Sequence, residues 1–217
     1  MDARPLFPIP FVLRPGEVGL DDGVAFCVAV LVAILVNAEG QAFAATLLGD
    51  KRPGAKDRLH FNVFLHLDIV GTLSFLATGM GWSKTIAVDV TKFQYPNLCL
   101  VLTRAAGPFA NFLMANIAGS LAWLLKSMSL DPRVFLMVLA VNVTVAIYNL
   151  VPLMPMAAGT LASVLLIPKD SRLDQTYRQA GPYLLVGLLL LDRISDGDIL
   201  GKFLAPLVRD LFTLLTT

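Results

Sequence analysis

Long runs of apolar residues, interrupted at only a few positions, dominate the pattern along the chain. Residues 24–36 contain no polar side chain, and after a short polar insert the apolar character continues to Leu48. A helix needs roughly 20 apolar residues to cross the hydrocarbon core of a bilayer. The pattern therefore predicts an all-α polytopic membrane protein with about six transmembrane or re-entrant helices. The further apolar segments lie at 66–80, 99–125, 134–167, 182–191 and 199–215.

Two stretches depart from a helical pattern. Apolar and polar residues alternate around Ile86, Val88 and Val90, and this period of two predicts a small β-like segment near residues 81–92. Further along, the stretch "NLVPLMPMAAG" (149–159) places two prolines inside an apolar segment. Because proline has no backbone N–H to donate within a helix, we expect a break there, with freed backbone groups facing a cavity.

Composition supports a membrane environment and a single domain. The 217 residues are 56% hydrophobic and 15% charged, with a mean hydropathy of +0.72, whereas soluble domains carry about 25% charged residues. The Pro-rich residues 1–23 predict an N-terminal arm on the membrane surface, and residues 24–215 a helical core. We expect an integral, multi-pass protein in the plasma membrane of a prokaryote. The lipid bilayer is its expected partner, and a net charge of +1 argues against nucleic acid.

A polar cluster interrupts the first apolar run. Asn37, Glu39 and Gln41 lie between apolar residues that continue on both sides. Polar groups at membrane depth are costly and usually mark a functional site. Asn37 and Gln41, four residues apart, share one helix face. Glu39 points about 200° away from both of them.

Five short motifs, in a fixed order, give the chain a recognisable signature. Together they resemble the site-2 protease family of intramembrane zinc metallopeptidases, which has a compact form of about six membrane segments. Members of that family carry an H-E-x-x-H helix ending in Gly-Asp, and a later N-L-x-P-x-P-P-L-D-G motif. The matching stretches here are Gly49-Asp50, "RLHFNVFLHLDIVGT" (58–72), "GWSKTIAV" (81–88), "AGPFAN" (106–111) and "NLVPLMPMAAG" (149–159).

The chain departs from this resemblance at the catalytic positions. Counting back from Gly49, the residues at the two histidines and the glutamate of H-E-x-x-H are Asn37, Gln41 and Ala38, and Ala157 stands at the aspartate of the last motif. A catalytic zinc needs three N, O or S ligands and an activated water. Neutral amides and a methyl group cannot supply them, so no hydroxide nucleophile forms. We therefore expect no catalytic residues and no zinc cofactor at these positions, and we expect that the chain is not an enzyme.

A relocated metal site is the alternative that the other residues allow. Glu39, His60, His66 and Asp68 carry donor groups, and the chain has no other histidine. His66 and Asp68 match an H-x-D of the family's loop, which is not its zinc set. The simpler interpretation of His66 is a hydrogen bond that caps a loop.

The amides also allow two interpretations. Asn37 and Gln41 could form a purely structural network with the other amides of the apolar segments, Asn111, Asn142 and Asn149. Alternatively, Asn37, Gln41, Asn111 and Asn149 could line a retained cleft for a transmembrane peptide or a partner membrane protein. The resemblance places Asn111 and Asn149 beside the family's substrate path.

Three functions follow from these patterns. The leading hypothesis is a catalytically inactive homologue of an intramembrane zinc metalloprotease, which binds a membrane segment or partner protein in the former substrate cleft. The first alternative is an active site-2-type metalloendopeptidase with non-standard ligands. The second alternative is a small transporter or channel that uses the broken helix at 149–159 as a polar pathway, although the sequence shows no inverted repeat.

Overall fold

The computed structural model of the protein describes residues 19–51, 59–195 and 199–216. Within these ranges the secondary structure is helical, which confirms the all-α prediction. Two short 3₁₀-helices lie at Val63–His66 and Val90–Lys92. The α-helices are α1 (Leu20–Leu47), α2 (Ile69–Thr78), α3 (Pro96–Ser127), α4 (Arg133–Tyr148), α5 (Ala157–Leu166), α6 (Arg172–Ile194) and α7 (Gly201–Leu214).

Two of the described helices, α1 and α3, are long and apolar enough to cross a membrane. Helices α2, α4 and α5 are apolar but shorter. Helix α1 begins at Leu20, so residues 20–23, which the sequence assigned to the surface arm, instead form its first turn. Asp21 and Asp22 lie in that turn, where carboxylates favour the positive end of the helix dipole. The rest of the predicted arm, residues 1–18, lies outside the described residues.

Small residues bring the central helices close together. Helices α1, α3 and α4 pack against one another, and Ala29, Ala33 and Ala115 in this core are 0–1% exposed. Gly40 allows α1 to lie close to α3, because a Cβ atom there would lie 2.7 Å from the Cβ of Ala110. Such contacts are typical of helices that pack inside a membrane.

The predicted break after α4 is present. Helix α4 ends at Tyr148 and α5 begins at Ala157, with non-helical backbone between them. Asn149 joins the two ends, since its side-chain oxygen accepts a hydrogen bond from the backbone N–H of Ala157 at 3.0 Å. Its backbone oxygen accepts a second bond, from the N–H of Ala158, at 3.0 Å. The start of α5 is thereby fixed relative to the end of α4.

The prediction of a β-like segment near residues 81–92 is wrong. The described residues there form one isolated antiparallel bridge, between Leu67 and Ser83, and no strand. Ile86 is buried against Ala38 and Ala42 of α1. The apolar alternation therefore reflects packing on a helix, which requires no neighbouring strand.

A polar contact joins α5 to the first turn of α6. The hydroxyl of Ser163 donates a hydrogen bond to Oδ1 of Asp174 at 2.9 Å, and Nε of Arg178 donates to the same oxygen at 2.9 Å. The hydrogen bond from Arg178 lowers the pKa of Asp174 below its ordinary value, against the opposing effect of burial. The ionised carboxylate therefore stabilises the contact between α5 and α6.

Substitution of Gly40 by alanine tests the close approach of α1 and α3. We expect Gly40→Ala to lower the free energy of unfolding by about 1–3 kcal/mol, because the added methyl group must displace the neighbouring helix. Gly187→Ala in α6 is the matched control, since a Cβ there meets no atom within 4 Å. The control should be neutral or stabilising by up to about 1 kcal/mol. Thermal or denaturant unfolding in detergent measures both, and equal effects would contradict the packing.

Substitution of Asp174 by asparagine tests the contact between α5 and α6. The pKa of Asp174 is lowered on folding, so its contribution to stability is present above its unfolded pKa and is lost as the pH falls through the folded pKa. Asp174→Asn should cost roughly 1 kcal/mol at neutral pH, because Arg178 is partly exposed and solvent screens the pair. The difference from the wild type should vanish in acid. The exposed Asp210→Asn serves as control, and a loss that does not depend on pH would argue against the ion pair.

Candidate functional site

A chain of hydrogen-bonded amides connects α1, α3 and α4. Nδ2 of Asn37 donates to Oδ1 of Asn111 at 2.6 Å, and Nδ2 of Asn111 donates to Oδ1 of Asn142 at 2.8 Å. On the other side, Nε2 of Gln41 donates to Oδ1 of Asn37 at 2.8 Å. The hydroxyl of Ser83 donates to the same oxygen at 3.1 Å. The network thus joins three helices to the segment that follows α2.

The guanidinium group of Arg104 completes this network. Nη1 donates to Oε1 of Gln41 at 2.7 Å, and Nη2 donates to the backbone oxygen of Ile86 at 3.0 Å. The ion pairs among the described residues include no carboxylate partner for Arg104. A cation held by neutral groups in an apolar helix is costly and indicates a functional role.

Gly107 allows the network to form. A Cβ atom at this position would lie 2.8 Å from Oδ1 of Asn37 and 2.9 Å from Nε2 of Gln41. Arg104, Gly107 and Asn111 follow the i, i+3, i+7 spacing that places residues on one helix face. One face of α3 therefore carries the cation of Arg104, the glycine that leaves room for Asn37 and Gln41, and the amide of Asn111.

A small polar cavity of about 20 Å³ opens beside this network. A volume of this size accommodates roughly one water molecule. Asn37, Gln41, Asn149 and Ala157 line it, whereas Asn111 is not among the lining residues and joins the network from α3. The other lining residues are Trp82, Ser83, Thr85, Arg104, Val145, Pro155 and Met156.

The donor set of this cavity does not fit a zinc ion. Asn37, Gln41 and Ala157 meet there, but the two amides already bond to each other and the alanine offers no donor. The guanidinium of Arg104 lies against Gln41, and its positive charge repels a divalent cation.

A different group of side chains meets on the opposite side of α1. One oxygen of Glu39 lies 3.0 Å from Nε2 of His66 and 3.9 Å from Nδ1 of His60. The same oxygen accepts hydrogen bonds from the backbone N–H groups of His60 and Phe61, at 3.3 and 2.9 Å. The two imidazole rings stack with centroids 4.7 Å apart. Glu39 is therefore paired with the loop that precedes α2.

Three of the four residues considered for a relocated metal site thus come together. Glu39, His60 and His66 each offer a ligand atom, and these atoms lie within 4.8 Å of one another. Asp68 is absent from this group, because its side chain accepts a hydrogen bond from the N–H of Gly71 at 2.7 Å and caps α2. His66 bonds a carboxylate across the fold, whereas the simpler interpretation had it cap a loop.

Arg104 is a residue of this candidate site that the sequence analysis did not single out. It is a charged residue inside the apolar segment 99–125, a combination that predicts a polar site. Its spacing from Asn111 would have placed both on the same face of α3. Ser83 and Thr85 carried no such signal, because hydroxyl residues are common in exposed segments.

The described residues thus form a helical fold with two helices long and apolar enough to cross a membrane, and with a small polar cavity at Asn37, Gln41 and Ala157. The chain is 28% identical over 173 residues to "Putative zinc metalloprotease YwhC" of Bacillus subtilis (strain 168), a match that covers 76% of this chain and 78% of the relative. No protein-family model and no solved structure matches the chain. The similarity supports a metalloprotease-related family.

Truncation of Asn111 tests the amide network. Asn111 is fully buried, and its amide also donates to the backbone oxygen of Ala33 at 3.0 Å. Asn111→Ala leaves the amide of Asn37 without its partner, so we expect a loss of about 1–3 kcal/mol in the free energy of unfolding. Asn116→Ala is the matched control, since among the described residues that side chain bonds only Phe112 of its own helix. It should change stability by less than about 0.5 kcal/mol. Similar losses in the two variants would contradict the network.

Proposed function

We propose that this chain is a non-cleaving member of the site-2 protease family, which binds a segment of a membrane protein at the cavity beside Asn37 and Gln41. The observation that carries the proposal is the cavity itself. The positions that resemble the family's zinc ligands meet there, yet the lining residues are amides, a methyl group and a guanidinium. This set suits the recognition of a polar group and does not suit metal chemistry.

The donors around the cavity favour an oxygen-bearing ligand. Arg104 carries five N–H donors, and only two of its hydrogen bonds, to Gln41 and Ile86, are made within the described residues. A backbone carbonyl or a carboxylate of the bound segment would satisfy the remaining donors. Because the cavity holds only about one small group, the rest of the segment would lie along the exposed side of Thr85.

Exposed apolar side chains support a multi-pass location in the membrane. Large hydrophobic residues that face outward are spread over α1, α3, α6 and α7, and a soluble monomer rarely exposes contiguous surface of this kind. Examples are Phe43, Phe109, Leu184 and Phe203, which are 57–71% exposed. A bilayer would cover this surface. The plasma membrane of a prokaryote is part of the same proposal.

Cleavage with a non-standard ligand set is the second candidate, and Glu39, His60 and His66 are the observation in its favour. None of these three residues lines the cavity at Asn37 and Gln41. A metal that they held would thus face away from a segment bound at the cavity. For this reason binding without cleavage is the stronger proposal.

Site-specific photo-crosslinking in proteoliposomes tests the proposed function. A photo-reactive side chain at position 157 should crosslink a defined single-span peptide, and the peptide should remain uncut with or without added zinc. Arg104→Met should reduce the crosslinking several-fold, because the ligand oxygen loses its cationic donor.

Two controls keep this experiment decisive. The same photo-reactive group at Leu184, an exposed position of α6 outside the cavity lining, reports non-specific contact in the bilayer. Equal yields from positions 157 and 184 would refute a cleft at the cavity. Cleavage of the peptide that EDTA abolishes would refute the absence of catalysis and favour the second candidate.

A further inference from the structure

We infer that Glu39, His60 and His66 form a binding site for a divalent transition-metal ion, separate from the cavity at Asn37 and Gln41. The ligand atoms of the three residues already lie within 4.8 Å of one another. Ligands of a tetrahedral zinc ion, at bond lengths of 2.0–2.1 Å, are separated by roughly 3.3 Å. Oε1 of Glu39 lies 3.0 Å from Nε2 of His66 and 3.9 Å from Nδ1 of His60, so small side-chain movements would bring all three to bonding positions. Nδ1 of His60 accepts a hydrogen bond from the N–H of Asn62 at 3.2 Å, which the metal would replace.

The donor chemistry selects the kind of ion. Two imidazoles and one carboxylate suit zinc and other first-row transition metals, whereas calcium and magnesium prefer sets made of oxygen. Three protein ligands also leave a coordination position for water. Zn²⁺ is therefore the expected occupant.

The hydrogen bonding of Glu39 is unevenly divided between its two oxygens. One oxygen accepts from His60, Phe61 and His66. The other oxygen, Oε2, is buried and has no hydrogen-bond partner within the described residues. A buried carboxylate with one unpartnered oxygen is costly, and a cation bound at Oε1 would offset the charge that the two oxygens share.

The surrounding backbone holds the two histidines in place. Phe61 has a φ of 51°, a left-handed conformation that is uncommon for a bulky residue. Asn62 then caps the 3₁₀-helix that ends at His66, by accepting a hydrogen bond from the N–H of Phe64 at 3.2 Å. These two features turn the chain so that His60 stacks on His66. Glu39 is fixed independently by α1.

Such a metal would attach the segment 59–66 to the C-terminal half of α1. His66 is 3% exposed and Glu39 7%, while the side chain of His60 is 24% exposed and leaves the ion a route to the site. Because the three residues do not line the cavity, metal binding here is independent of the proposed function and adds to it.

Metal titration of the full-length, tag-free protein in detergent tests the site. After treatment with EDTA and its removal, the wild type should bind one Zn²⁺ per chain by calorimetry, and Co²⁺ should give the visible absorption of a tetrahedral site. His60→Ala and Glu39→Gln should each weaken Zn²⁺ binding by about 100-fold or more and remove the Co²⁺ spectrum. His60→Ala is the principal variant, since its partly exposed side chain is the least needed for folding.

Asp68→Asn is the matched control. It removes a neighbouring carboxylate but keeps a side-chain oxygen that can cap α2, so its Zn²⁺ affinity should equal that of the wild type. Zinc should also slow amide hydrogen exchange in residues 59–66 of the wild type and not in His60→Ala. The inference is overturned if the wild type binds neither ion, or if His60→Ala and Glu39→Gln bind Zn²⁺ as tightly as the wild type. An equal loss in Asp68→Asn would also overturn it, because it would assign the ion to a different ligand set.

Discussion

The need to satisfy carboxamides away from water organises the centre of this molecule. A buried amide without a partner costs free energy, and the cost is avoided only if its neighbours are held at bonding distance. Asn37 and Asn142 meet that condition by sharing Asn111, which bonds both. Three helices are thereby fixed relative to one another by polar contacts and not by shape alone. The position of the cavity follows, since Asn37 belongs to both the network and the lining.

Helix α1 presents two different chemistries on its two sides. Asn37 and Gln41 face neutral amides and the guanidinium of Arg104, while Glu39 faces imidazoles and backbone N–H groups. The separation depends only on helical geometry, because residues two positions apart point in nearly opposite directions. The amide oxygen of Gln41 therefore meets the cation of Arg104, while the carboxylate of Glu39 meets His66 on the other side of the helix.

The sequence predicted the helices and the break after α4 because these depend on local patterns. Apolar runs indicate where helices form, and the closely spaced Pro152 and Pro155 favour a break, although single prolines lie inside α3, α6 and α7. The segment around Ile86 misled the prediction, since a period of two describes burial on one side and cannot distinguish a strand from an extended chain packed on a helix. Similarly, alignment to a motif identified Asn37, Gln41 and Ala157, which the structure places around one cavity.

Contacts between distant parts of the chain could not be predicted in the same way. The partner of Glu39 lies 27 residues away, at His66, and that of Gln41 lies 63 residues away, at Arg104. No periodicity encodes such a pairing, because it depends on how helices pack. The charge of Arg104 within an apolar segment indicated a polar site. Its partner, Gln41, could be identified only from the packing of the helices.

The arrangement around Gly107 has an evolutionary consequence. Histidines at positions 37 and 41 would have to share their space with the backbone of α3 at Gly107 and with the guanidinium of Arg104, which already occupies the oxygen of Gln41. A variant that carried metal ligands at these positions would thus retain a repelling cation until Arg104 also changed. A zinc site at this cavity therefore requires several coordinated replacements with little benefit from the first, so a single mutation does not create one.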